Sequence, residues 1–183
     1  MNEMTITIPE METFDEETER FHHVKETKIV ILHSLVSISK WESKWKKPFI
    51  HQEQLPIDEL RDYVRCMTLT QNVDPEIYKV IPIDILNDVV AYMNDQKTAT
   101  WFSDIAKPNK KNGEIITSEL VYYWMTAANI PKECEKWHFS RLMTLIRICA
   151  EKNKEPEKMK KNDIYKQNHA LNAMRRAKMK SKG

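Results

Sequence analysis

"SLVSISKWESKWKKPF", residues 34–49, is where the chain changes period. Leu35, Ile38, Trp41 and Trp45 follow one another at spacings of three, three and four, which is one face of an α-helix, and Pro48 ends it. Ser39 and Glu42 stand at capping-box spacing, so a helix that begins near Lys40, with 34–38 still extended, fits the same residues. Two tryptophans amid Lys40, Lys44, Lys46 and Lys47 have three readings, one of them a stacking platform for nucleic acid. As core anchors they would face inward while lysine stems flank the stripe and keep their ammonium groups in water. As an interface they would form a sticky surface, because Trp is enriched at binding hot spots and the chain's ten methionines add adaptable apolar area.

Upstream of this stretch the period is two. "MTITIPEM" (4–11) alternates Ile6 and Ile8 with threonines, the pattern of a half-buried strand, and Pro9 suits an edge position. "FDEETERF" (14–21) is polar and turn-like, and "HHVKETKIVIL" (22–32) carries the β-branched residues of a second strand. A two- or three-stranded hairpin is expected. Two strands alone are marginal in water, so they must pack on helices or on another subunit.

Downstream the chain reads as helices. "PIDELRDYVRCM" (56–67) turns Leu60, Val64 and Met67 inward. Asp74-Pro75 reads as an N-cap followed by a first-turn proline, opening the short "PEIYKVI". "PIDILNDVVAYMND" (82–95) sets Ile85, Val89 and Met93 on one side. After the polar loop "KPNKKNG" (107–113), Thr117 or Ser118 caps "ELVYYWMTAAN". The most regular stripe is Cys134, His138, Leu142, Leu145 and Cys149, which predicts one amphipathic helix of about five turns. Residues 154–163 read as a linker, and 164–180 keep only the thin stripe Ile164, Leu171 and Met174. The expected fold is mostly α: a compact helical body of about five to six helices (34–153), an N-terminal β-hairpin (1–33) and a basic C-terminal tail (154–183).

Composition bounds the chemistry. The chain has 183 residues but only two glycines, Gly113 and Gly183, so it cannot build the glycine-rich loops through which backbone N–H groups approach phosphates. No nucleophile elbow, zinc-protease or calcium-loop motif occurs, no C-x-x-C is present, and neither a cofactor nor enzymatic turnover is expected. Cys134 and His138 are four apart, yet two ligands do not close a zinc site, and a core histidine is the preferred reading. His22 and His23 are adjacent on a strand and point to opposite faces. Cys66, Cys134 and Cys149 cannot all pair within one chain and are expected to be reduced thiols. No apolar run reaches membrane-spanning length, and residues 1–10 lack the basic start and apolar stretch of a secretory leader, so a cytosolic setting without membrane contact is expected.

Charge is unevenly spread. Residues 151–183 hold nine lysines and two arginines against three glutamates and one aspartate, which leaves the body acidic. Arg175, Arg176 and Lys178 are the candidate contacts of this tail. The tail reads as a solvated segment that maintains solubility, or as a contact for a partner protein or for phosphates, but "NAMRRAKMKSKG" has no aromatic residue for stacking on bases, so nucleic acid is the less favoured partner.

Several blocks together carry a resemblance: "HSLVSISKWESKWKKPF", "YVRCMTLTQNVDP", "KTATWF", "EIITSELVYYWMTAANIP", "ECEKWHFSRLMTLIRIC" and the terminal "NHALNAMRRAKMKSKG". The chain resembles a family of small proteins encoded by tailed bacteriophages, and within it the tail assembly chaperones of long-tailed phages. That resemblance implies a helical, non-enzymatic protein in the cytoplasm of the infected bacterial host. It would coat the hydrophobic tape-measure protein before the tail tube polymerises around it. Trp41, Trp45 and Phe49 would be anchors for an apolar partner helix, and a homo-oligomer is compatible with the role. The rival expectations are a virion structural component, such as a head–tail connector or tail-completion protein whose N-terminal strands pair between subunits, and a small nucleic-acid-binding regulator using the tail.

Overall fold

The computed structural model describes residues 2–15, 20–52, 54–100, 102, 115–153, 169 and 171. The loop expected at 107–113, the linker at 154–163, and Arg175, Arg176 and Lys178 lie outside them. Residues 1–149 form one compact unit and 150–183 count as a second.

Among the described residues, four strands, β1 (Met4–Ile8), β2 (Met11–Asp15), β3 (Arg20–Val24) and β4 (Thr27–Ile31), precede six helices with describable bounds: α1 (Leu35–Trp45), α2 (Ile57–Met67), α3 (Glu76–Lys79), α4 (Ile83–Asn94), α5 (Ser118–Ala127) and α6 (Phe139–Asn153). A 3-10 turn, Lys132–Lys136, leads into α6. The body is mostly α with an N-terminal hairpin, as the periods of the sequence predict. Among the described residues no helix is long and apolar enough to cross a membrane.

The hairpin is a single ribbon. β1 pairs antiparallel with β4 from Met4↔Ile31 to Ile8↔Thr27, and β2 pairs with β3 from Met11↔Val24 to Asp15↔Arg20. Both ladders keep one register, interrupted where Pro9 has no N–H to offer. Strand pairing reaches further into "FDEETERF" than its polar character suggests, since Phe14 and Asp15 end β2 while Arg20 and Phe21 begin β3. The base of the ribbon is tied to the helices. Leu32 N–H donates to the Met67 carbonyl at 2.9 Å and Leu69 N–H to the Val30 carbonyl at 2.8 Å.

Ser34 decides where α1 starts. Its hydroxyl accepts from Ser37 N–H while Ser37 Oγ accepts from Ser34 N–H, a reciprocal cap that places the start at Leu35 and not near Lys40. The helix ends at Lys46, held in the left-handed region at φ 55°, with its N–H on the Glu42 carbonyl. Glycine is the usual residue there, and this glycine-poor chain uses a lysine.

Two apolar clusters meet at α1. The first joins Ile6, Ile8, Ile29 and Ile31 of the ribbon to Ile38 and Trp41 of α1, Tyr63, Val64 and Met67 of α2, and Leu86 and Val89 of α4. The second joins Leu35 to Val121 and Met125 of α5, Cys134, and Leu142 and Ile146 of α6. Two details depart from the helical patterns. On α4 the buried residues are Leu86, Val89 and Tyr92, with Ile85 and Met93 only half-buried, because the ribbon and α2 approach that helix about one residue around from the expected face. The stripe from Cys134 to Cys149 does not lie on one helix. Trp137 is extended, and His138 forms an antiparallel bridge with Ser34 while the His33 carbonyl accepts from Phe139 N–H at 2.9 Å. That pairing to a distant segment breaks the helix and restarts it at Phe139. His138 itself is a core histidine with 0% exposure.

Candidate partner-binding surface

The tryptophan question has a split answer. Trp41 is 0% exposed, donates its indole N–H to the Glu59 carbonyl at 3.2 Å, and meets Phe49 edge-on at 5.2 Å. Phe49 is buried too and lies 4.1 Å, centroid to centroid, from the Tyr63 ring. Both belong to the core. Trp45 stacks on Trp41 at 6.1 Å but keeps part of its surface in solvent, so of the three expected anchors it alone offers an accessible ring.

A polar frame fixes Trp45. Its indole N–H donates to Asp62 Oδ2 at 2.8 Å, while Asp62 Oδ1 accepts from Lys44 Nζ at 2.7 Å and Arg65 Nε at 2.8 Å. Partial burial alone would raise the Asp62 carboxyl pKa, but the bonds from Lys44, Trp45 and Arg65 outweigh it and leave the pKa below the ordinary value. Lys44 and Lys47 each place an ammonium 5.6 Å from the Trp45 ring, and Lys47 pairs with Glu59 at 2.6 Å. Two of the four lysines of the opening stretch, Lys44 and Lys47, therefore brace the tryptophan.

Glu42 ties the two clusters together. This buried carboxylate accepts from Phe49 N–H through Oε1 at 2.8 Å and from Ser118 N–H, in the first turn of α5, through Oε2 at 2.7 Å. A carboxylate at a helix N-terminus satisfies an otherwise orphan donor and opposes the positive end of the dipole. Glutamine offers only one acceptor there and sets an amide NH₂ against an N–H. Glu42→Gln is expected to lower unfolding free energy by about 2–4 kcal/mol. Urea titration checks it, and a loss under about 0.5 kcal/mol would contradict this role.

Beneath α1 the aromatic layer turns polar. His33 Nδ1 lies 2.6 Å from the Tyr63 hydroxyl, which is 3.2 Å from Ser37 Oγ, and the His33 and His138 rings are 5.3 Å apart. Burial, reinforced by His138, pulls the His33 pKa down to about 3. Burial likewise lowers that of His138, opposed by the Tyr92 carbonyl. The Tyr63 hydroxyl is pushed well above its ordinary value, chiefly by burial. Neutral imidazoles and phenols here join the ribbon's end to α2, α4 and α6 as a structural network.

An open apolar groove of about 490 Å³ lies between α2, α4 and the loop after α1. Its walls include Ile50, Leu55, Ile57, Ile83, Val90 and Met93, and Phe49 and Leu60 reach its floor. Ile57 is 50% exposed and Ile83 52%, unusual for isoleucines flanking a formed core. The side chains on its polar rim are amides, Gln52, Gln54, Asn87 and Asn94. Sequence patterning missed this surface because one inward stripe was read on α4. The signal was the excess of apolar residues on "IDILNDVVAYM" over what one stripe requires.

Comparison with protein-family models, curated proteins and solved structures returned no match. Among the described residues, no three His, Cys, Asp or Glu side chains gather as a metal site.

Proposed function

We propose that this chain is a phage tail assembly chaperone, a non-enzymatic protein that binds an apolar helical segment of the tape-measure protein during tail morphogenesis. The observation that carries the reading is the groove between α2 and α4. It exposes Ile57, Ile83 and Val90 beside a well-formed core, an open apolar surface on which an amphipathic helix can be laid. Its amide rim suits a helix whose apolar stripe is bordered by polar side chains. The grip is shallow and open, which suits a factor that must let go when the tube assembles. The resemblance of the blocks quoted above to small proteins of tailed phages supports the setting.

The reading is tested by co-expression with the tape-measure protein of the same genome. The expected result is a large rise in that partner's soluble fraction, and unchanged solubility would sink it. Among the described residues β2 and β3 pair only with each other, which favours a second reading, a virion component whose strands pair between subunits. Mass spectrometry of purified virions separates the two, since a component is retained stoichiometrically and a chaperone is absent.

A further inference from the structure

The groove between α2 and α4 is apolar along its walls, yet one buried polar atom in its lining has no partner. His33 lines it together with Phe49, Leu60 and Phe139. The residue is 5% exposed, and its ring meets Tyr63, His138 and Phe139 edge-on. Nδ1 is engaged by the Tyr63 hydroxyl at 2.6 Å, but among the described residues Nε2 has no hydrogen-bond partner. Arg61 Nε and His138 Nε2 are sealed from solvent without a partner, and His33 Nε2 is not sealed. The small accessible area of His33 opens into the groove that it lines. A count of hydrogens fixes what this nitrogen offers. Burial keeps the imidazole neutral, with its pKa down at about 3, so one ring nitrogen carries a hydrogen and the other a lone pair. Ser37 Oγ donates its hydrogen to the Ser34 carbonyl at 2.7 Å. At the 3.2 Å contact between Tyr63 and Ser37 the hydrogen therefore comes from Tyr63. The phenol has no second hydrogen, so His33 Nδ1–H is the donor at 2.6 Å and Nε2 is a bare acceptor.

We infer that the groove takes a side chain bearing a hydroxyl, whose O–H donates to His33 Nε2 while apolar neighbours on the same partner helix fill the walls. A purely apolar occupant covers the acceptor and leaves it unpaired, which is penalised. An ammonium brings a charge into an apolar slot, and an amide buries its own carbonyl beside the rings of Phe49 and Phe139. A hydroxyl supplies the one hydrogen that is needed and adds the least polar surface. The inference rests on the groove as the partner site, proposed above, and deepens it. The bound helix of the tape-measure protein carries one serine, threonine or tyrosine among its apolar anchors, and His33 selects for it.

The test uses phenol and toluene, two probes of one shape that differ by a hydroxyl, titrated into the full-length chain near neutral pH. Nuclear magnetic resonance follows the methyl signals of Ile57, Ile83 and Val90 and the imidazole nitrogen resonances of His33. Both probes are expected to move the methyl signals. Phenol alone is expected to move the Nε2 resonance, which in the free protein reports a nitrogen without a hydrogen. In His33→Phe, which keeps a ring but no acceptor, the preference for phenol over toluene is expected to fall at least about fivefold. Comparing that preference between the two proteins cancels the difference in hydrophobicity of the probes. If His33→Phe does not fold, the wild-type Nε2 resonance decides alone. The inference is overturned if phenol moves the methyl signals and leaves Nε2 unmoved, if Nε2 carries the hydrogen in the free protein, or if phenol does not bind at millimolar concentration. No tape-measure protein enters this test, so the two readings fail separately. A phenol-responsive Nε2 without solubilisation keeps the site and removes the partner, and solubilisation with a silent Nε2 does the reverse.

Discussion

Trp41→Ala removes about 3–5 kcal/mol of unfolding free energy, the largest single loss expected in this chain. The indole is 0% exposed and fills the space between Trp45, Phe49 and α2, and its N–H occupies the Glu59 carbonyl. Truncation opens a cavity in a layer that rings cannot readily collapse into, and it removes the indole's bond to the Glu59 carbonyl. With total stability of about 5–15 kcal/mol for such domains, the variant sits near the edge of folding. Its melting temperature is expected to fall by roughly 6–20 °C. Trp45→Ala is the control: its ring is only half-buried, and Asp62 retains Lys44 and Arg65 when the indole is gone. A loss at Trp45 equal to that at Trp41 would contradict the division of the pair into core anchor and braced surface ring.

The second large effect is acid lability above the carboxylate range. In the unfolded chain His33 takes up a proton near pH 6.5, while in the fold it resists down to about 3. Between these values the unfolded state binds more protons, so stability rises with pH. The contribution of the neutral ring is fully present above about pH 6.5 and is lost progressively as pH falls toward 3. The loss is about 1.4 kcal/mol per pH unit, approaching 3 kcal/mol at about pH 4.5. His138, lowered chiefly by burial, adds in the same direction. The Asp62 carboxyl, with its lowered pKa, loses its contribution only once pH falls below its ordinary value of 3.8, so the histidines dominate the interval above that. Denaturant titrations from pH 7.5 to 4.5 should show a level stretch down to about pH 6.5 and a steady decline below it in wild type, with a shallower slope in His33→Gln. A flat wild-type profile would mean that the imidazoles are not held neutral by burial.

Much of this architecture was legible because single helices reveal themselves by period. Leu60, Val64 and Met67 point inward as their spacing requires, and Thr117 caps α5 through Leu120 N–H. The failures lie where a distant segment decides. Ser34 and Ser39 are equally good caps on paper, and the reciprocal bond from Ser37 selects the first. His138 sits on a perfect helical stripe, yet its bridge to Ser34 pulls it into extended geometry. The site was harder still. Both tryptophans carry the same local signal, and only the packing of Phe49 against Trp41 and the seat of that indole on the Glu59 carbonyl separate their roles. Ile57, Ile83 and Val90 look like core residues in the sequence, and their exposure depends on what fails to cover them.

The most direct test of the account compares the wild-type chain with the double variant Ile83→Asp, Val90→Asp in co-expression with the tape-measure protein. Both positions are exposed, so the variant should fold, and near-native circular dichroism confirms that it has. The account predicts that wild type raises the partner's soluble fraction at least about fivefold and that the variant returns it to baseline, since two charges in an apolar contact cost several kcal/mol. A variant that solubilises the partner as well as wild type does would contradict the groove as the working surface of this protein.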